Sequence, residues 1–112
     1  MKLEKETQNK IQELQLSEQA MQNLLLQKQA FQMEMNETDS ALDELKKSKN
    51  EVYKIVGQIM LKSEKEDMKK ELEDKKKILE LRLKAIENQE TIIKEKIEDL
   101  HKKIEEDLKK VK

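Results

Sequence analysis

The sequence predicts a mainly α fold, a long antiparallel two-helix coiled coil joined by one β-hairpin. Three observations predict it. Charged residues make up 44% of the 112 residues and aromatic ones 2%, with one Gly and no Pro, Cys or Trp. Sandwiches, closed barrels and doubly wound sheets need more large apolar side chains and tight turns than that. Two long segments place apolar residues at alternating steps of three and four, the spacing of a coiled-coil seam. Between them lies a short stretch, dense in β-branched residues, that contains the only Gly and the only Tyr.

The first helix is expected over about 4–48. Its seam positions are 14, 17, 21, 24, 28, 31, 35, 38, 42 and 45. Leu14, Met21, Leu24, Phe31, Met35, Leu42 and Leu45 are apolar there, and Ser17, Lys28 and Thr38 are the exceptions. The second helix is expected over about 64–110. Leu72, Leu79, Leu83, Ile86, Ile93, Ile97, Leu100, Ile104 and Val111 follow the same spacing, interrupted by Lys76, Glu90 and Asp107. Ser63 and Glu66 have the spacing of a capping box at its start. Nine Glu/Asp-to-Lys pairs at spacing four follow, among them Glu66–Lys70, Glu71–Lys75, Glu80–Lys84, Glu90–Lys94 and Glu106–Lys110. Each adds roughly 0.2–0.5 kcal/mol to an exposed helix, so the charge runs read as solvated faces.

The segment Glu51–Lys62 reads as strands over about 52–56 and 58–62. Gly57-Gln58 suits a type II′ turn, because Gly supplies the positive φ required at its first central position. If Val56 faces Ile59, one face carries Val52, Val56, Ile59 and Leu61, with Lys54 as its exception. The other carries Tyr53, Ile55 and Met60, with Lys62 at its edge. Neither face is mainly polar. A lone two-stranded hairpin is marginal in water, and its edges are open to further pairing. Val52, Tyr53, Ile55, Val56, Gly57, Ile59, Met60 and Leu61 are therefore the expected oligomerisation surface.

Folding at Gly57 pairs residue i with roughly residue 115 − i. Each helix would extend about 70 Å at 1.5 Å per residue, with the two seams in contact. Lys28 falls near Glu87 and Glu90, a polar layer able to fix register. The far tip gathers Leu3, Ile11, Leu14, Leu16, Ile104, Leu108 and Val111. Side stripes at Leu16, Leu26 and Met33, and at Ile78, Leu81, Ala85 and Ile92, exceed what one two-helix seam can bury. Such residues pack on another helix or form a binding surface.

The chemistry of a catalyst is missing. His101 is the only His, and its helical neighbours Glu98 and Glu105 would give a poor metal site. One Gly cannot build a phosphate loop. No catalytic residue, metal or cofactor is expected. The 24 basic and 25 acidic residues are near balance, with 15 of each over 64–112, so no electrostatic footprint for nucleic acid exists. No apolar run reaches a membrane span, and Met1–Glu6 lack the apolar stretch of a secretory signal. The expected location is the cytoplasm.

The order helix, single apolar hairpin, helix resembles the prefoldin family, specifically its β-type subunits. The likeness is carried by Gln27-Lys28-Gln29, Asn36-Glu37-Thr38, Ala41-Leu42-Asp43-Glu44-Leu45, the hairpin block Glu51–Gly57 with Ile59-Met60-Leu61, and Glu80-Leu81-Arg82 through Asn88-Gln89-Glu90. One hairpin, where α-type subunits carry two, favours the β-type. The lack of Cys and the 23 Lys against one Arg fit an archaeal, thermophilic source. The resemblance implies one prefoldin-like domain over 1–112 and a hexamer with two α-type and four β-type subunits. Its hairpins would form an oligomeric β-barrel from which the coiled coils extend. It also implies an ATP-independent chaperone, whose tips bind unfolded client proteins and pass them to a group II chaperonin. Several weak tip contacts acting together would give avidity. The competing reading is a structural or adaptor coiled-coil oligomer without chaperone activity, which would not need an apolar hairpin.

Overall fold

The computed structural model describes residues 4–111. Its elements are α1 (Lys5–Lys47), β1 (Val52–Val56), β2 (Ile59–Ser63) and α2 (Lys65–Val111). The helix and strand limits expected from the sequence lie within one residue of these.

Helix α1 starts where the Glu4 carbonyl accepts the Gln8 N–H at 3.0 Å. Its last turn carries Lys46 and Lys47, cations that suit the negative end of the helix dipole. The Ser48 N–H closes that turn on the Glu44 carbonyl at 3.0 Å. The Ser48 hydroxyl then accepts the Asn50 N–H at 3.3 Å, turning the chain toward β1. At the start of α2 the expected capping box does not form. The Glu64 carbonyl accepts the Met68 N–H at 3.0 Å, which makes Glu64 the capping residue. Ser63 is instead the last residue of β2, paired with Val52. Its extended ladder conformation leaves its hydroxyl only a 3.4 Å contact to the Glu64 carbonyl.

Residues 29–84 form one packing unit; those up to Lys28 with those from Ala85 form another. In the first, Phe31, Met35, Thr38, Leu42 and Leu45 of α1 turn inward with Leu72, Lys76, Leu79 and Leu83 of α2. Leu79 is the most enclosed aliphatic side chain, 2% exposed. The buried Thr38 hydroxyl donates to the Glu34 carbonyl at 2.8 Å, so it is satisfied within its own helix. The Arg82 guanidinium sits 5.7 Å from the centre of the Phe31 ring, a cation–π contact at the seam's margin. In the second unit, Leu14, Ser17, Met21 and Leu24 turn inward with Ile86, Ile93, Ile97, Leu100 and Ile104. Each well-buried Leu or Ile contributes about 1.5–3 kcal/mol relative to exposure.

Among the described side chains the seam positions are those the spacing predicts, and the polar exceptions follow a rule. Each polar α2 seam residue meets an opposite charge from α1. Lys76 pairs with Asp39 at 2.9 Å, Glu90 with Lys28 at 3.1 Å, and Asp107 with Lys10 at 2.8 Å. The Lys28–Glu90 contact is an ion pair without hydrogen-bond alignment, because Glu90 Oε1 is enclosed yet accepts no hydrogen bond. Among the described residues, i,i+4 pairs form at Asp43–Lys47 and Asp99–Lys103, at 3.2 and 3.0 Å. Glu71 and Glu90, expected to pair along α2, turn instead to Lys54 and Lys28.

Candidate functional site

The hairpin register is Val52↔Ser63, Tyr53↔Lys62, Lys54↔Leu61, Ile55↔Met60 and Val56↔Ile59. Every pair sums to 115, the value set by a two-residue turn at 57–58. Gly57 has φ +62°, and no non-glycine residue has positive φ among the described residues. Gln58 therefore keeps negative φ, which is the type II′ arrangement and not type I′. A Cβ at Gly57 would meet nothing within 4 Å, so backbone conformation alone calls for Gly there. The second strand runs 59–63, one residue later than expected, because Gln58 belongs to the turn.

Only the base of one face is covered, because Val56, Ile59 and Leu61, on the same face as Val52 and Lys54, are exposed. Val52, Lys54 and Ser63 are half-buried. The Lys54 ammonium is held by the Glu71 carboxylate of α2, and Lys65 Nζ donates to the Ser48 carbonyl at 2.9 Å. These polar contacts bind the base of the hairpin to the ends of α1 and α2. Tyr53, Ile55, Val56, Ile59, Met60 and Leu61 are between 50% and 68% exposed. Among the described residues, neither outer edge of the two-stranded sheet has a neighbouring strand. At its margin the Tyr53 hydroxyl donates to Glu51 Oε2 at 2.6 Å, and Lys62 Nζ lies 3.0 Å from Glu51 Oε1. The Tyr53 bond, then the Lys62 bond, hold the Glu51 carboxyl below its ordinary value. The Glu51 bond raises the Tyr53 phenol. An open groove of about 430 Å³ runs beside β1, with Ala41, Leu45, Val52, Tyr53, Met68 and Leu72 among its lining.

The described residues among those expected at the tip divide into three groups. Leu16 and Leu108 are exposed, and Ile11 and Leu14 are half-buried. Ile104, expected both in the seam and at the tip, is buried as a member of the seam. Leu3 and the Val111 side chain lie outside the described residues. The side stripes stand clear of the seam, with Leu26, Met33, Ile78, Leu81 and Ile92 all more than half exposed.

One constellation was not singled out from the sequence. Asp107 Oδ2 accepts from the Thr7 hydroxyl at 3.0 Å and from Lys10 Nζ at 2.8 Å. The signal was present, since an Asp occupies a seam position and the 115 register puts it opposite residue 8. The bond from Lys10, then that from Thr7, depress the Asp107 carboxyl. The same Lys10–Asp107 bond raises the Lys10 ammonium. No cluster of three or more His, Cys, Asp or Glu is placed to hold a metal among the described residues. No described helix is long and apolar enough to cross a membrane.

Comparison with known proteins gives a consistent answer. The family model described as prefoldin subunit matches residues 8–110. The prefoldin subunit beta of Archaeoglobus fulgidus is 37% identical over 65 residues, 56% of this chain and 56% of that protein. The matched stretch thus spans about half the length of that relative. The crystal structure of the prefoldin beta subunit from Thermococcus strain KS-1 superposes with a TM-score of 0.86 at 34% identity, covering 94% of each chain. With two long helices, one antiparallel hairpin and a family match over nearly all its residues, this chain belongs to the prefoldin subunit family, whose members are components of chaperones and not enzymes, and it has the fold of the β-type subunit.

Proposed function

We propose that the 112 residues act as one prefoldin-like domain, a subunit of an ATP-independent cytoplasmic chaperone. Its hairpin joins an α-type subunit and further β-type copies in a hexamer whose hairpins close into a barrel. The helix tips bind non-native proteins, keep them from aggregating and release them to a group II chaperonin. The observation that carries this reading is the hairpin. Six large apolar side chains within nine residues stand at least half exposed, beside two unpaired strand edges. A chain with this much apolar surface on a sheet of two strands gains free energy by adding strands from a neighbour. A coiled-coil adaptor would have no use for such a surface.

Client binding is assigned to Leu16 and Leu108, with Ile11 and Leu14 behind them and Leu3 and Val111 completing the set. Apolar contact is non-directional and tolerates clients of any sequence. Ile104 joins them only when the seam opens. The test uses the intact chain with its α-type partner and a denatured protein diluted into buffer without nucleotide. The assembly is expected to suppress aggregation, and a form lacking residues 1–10 and 103–112 is expected to protect poorly. Equal protection by the two forms would remove the tip assignment.

A further inference from the structure

Among the described residues, the outermost cross-helix layer is polar. Thr7 is only 2% exposed, and its hydroxyl donates to Asp107 Oδ2 at 3.0 Å. Lys10, one turn along α1, donates to the same oxygen at 2.8 Å. The Asp107 and Lys10 side chains keep 21% and 28% of their surface, so the ion pair is still reached by water. Immediately inside it lies buried Ile104, with Ile11 and Leu14 half-buried on α1. An apolar layer here would hold the helices together regardless of salt and charge. This layer holds them through one carboxylate oxygen.

We propose that Thr7, Lys10 and Asp107 form a clasp whose opening controls access to the apolar seam behind it, at Ile104, Ile11 and Leu14. The inference rests on the tip-binding reading above and adds its regulation. With the clasp closed, the outward Leu16 and Leu108 are open to a client while the seam side chains behind the clasp are covered. With it open, the helix ends separate and seam side chains become available. The apolar surface offered to clients is then adjustable, and its setting depends on an interaction that salt screens.

The charges around Asp107 favour the closed state near neutral pH. Lys10 from α1 and Lys110 from its own helix attract the carboxylate. Glu6 from α1 and Glu106 from α2 act on Lys10 and raise its ammonium further. Glu4 lines the same small cavity as Glu6, Thr7, Asp107 and Lys110. The carboxyl lies below its ordinary value, so mild acidification leaves the clasp shut. Ionic strength and competing apolar contacts are the agents that open it.

The test is hydrogen exchange of the amides over 4–14 and 100–110, measured on the full assembly without client. Asp107→Asn keeps the size of the side chain and removes its charge. It is expected to speed exchange there by roughly two- to fivefold, the range of a partly exposed ion pair, with no change over 52–63. It is also expected to abolish the acceleration that added salt causes in the parent chain. Thr7→Val with Asp107→Leu, an apolar layer, is expected to slow exchange and make it insensitive to salt. Aggregation assays on the same proteins should show stronger protection by the Asn variant and weaker protection by the apolar pair.

Unchanged exchange and unchanged salt dependence in Asp107→Asn would overturn the clasp. Faster exchange with unaltered protection would overturn its control of client access. Leu16→Ser with Leu108→Ser tests the underlying tip reading separately, because those residues lie outside the clasp. Loss of protection in that variant, with a failed clasp test, would mean that clients use the outward residues alone.

Discussion

The hairpin and the helical seam are built from the same kinds of aliphatic side chain, and the chain treats them in opposite ways. In the seam Leu24, Leu45, Leu79, Ile86, Leu100 and Ile104 are buried against residues of the same molecule. In the hairpin Ile55, Val56, Ile59, Met60 and Leu61 stand in solvent. A helix pair satisfies its backbone hydrogen bonds within each helix and needs only one partner for its stripe. A two-stranded sheet leaves an unpaired edge on each side and has little to cover it. The seam is buried within one chain, whereas the hairpin leaves its apolar side chains uncovered.

Disabling each region in turn should separate these two cases. The largest effect is expected from Ile55→Ser, Ile59→Ser and Leu61→Ser together. Assembly mass measured by light scattering should fall to that of single chains, while helical circular dichroism persists. Retention of the full assembly would show that the hairpin is not the joining element. Leu79→Ala attacks the other region. A cavity at this site should cost about 2–5 kcal/mol, read as a lower urea midpoint, and any effect on assembly should come through unfolding.

A smaller effect of opposite sign is expected from Lys28→Leu with Glu90→Leu. The ion pair lies within the seam, with about a quarter of each side chain still exposed. Replacing a polar layer by an apolar one should raise stability by about 1 kcal/mol, and a fall in melting temperature would refute the reading. The layer's contribution is register, so the same variant should show weaker preference for a single helix alignment in cross-linking between 24 and 93.

The smallest effect concerns pH. The Asp107 carboxyl titrates below its ordinary value when folded. Its contribution is thus present above the unfolded aspartate value, about 3.9, and is lost as pH falls through the lower folded value. Lys10 titrates above its ordinary value. Its contribution is present below the unfolded lysine value, about 10.4, and is lost as pH rises through the higher folded one. The difference in melting temperature between the parent chain and Asp107→Asn should therefore be level from about pH 5 to 9. It should close below about pH 4. A difference that vanishes near pH 6 would point to another group.

Much of this was legible in the residues because coiled coils and hairpins are local codes. Alternating steps of three and four identified the inward side chains of both helices. A single Gly fixed the turn, and with it the register that brought Lys28 to Glu90. The capping box at Ser63 failed because its signature was read without the ladder, which claims Ser63 as a strand residue and passes the cap to Glu64. Glu71 failed similarly. The i,i+4 rule offered it Lys75, but Lys54 of the hairpin comes within reach only once the strands fold back. The Thr7–Lys10–Asp107 cluster is not legible along the chain, because Asp107 stands 100 and 97 positions from Thr7 and Lys10 and none of the three is unusual alone.

What the sequence determined by itself was which side chains face inward and where the chain reverses, since helical and strand periodicities depend only on neighbours along the chain. The tertiary structure decided which of several equally charged partners each Lys and Glu takes, and that Ile104, which the spacing puts both in the seam and at the tip, is buried. Those choices depend on distances across the helix pair, and spacing along one strand or helix carries no information about them until the register is in place.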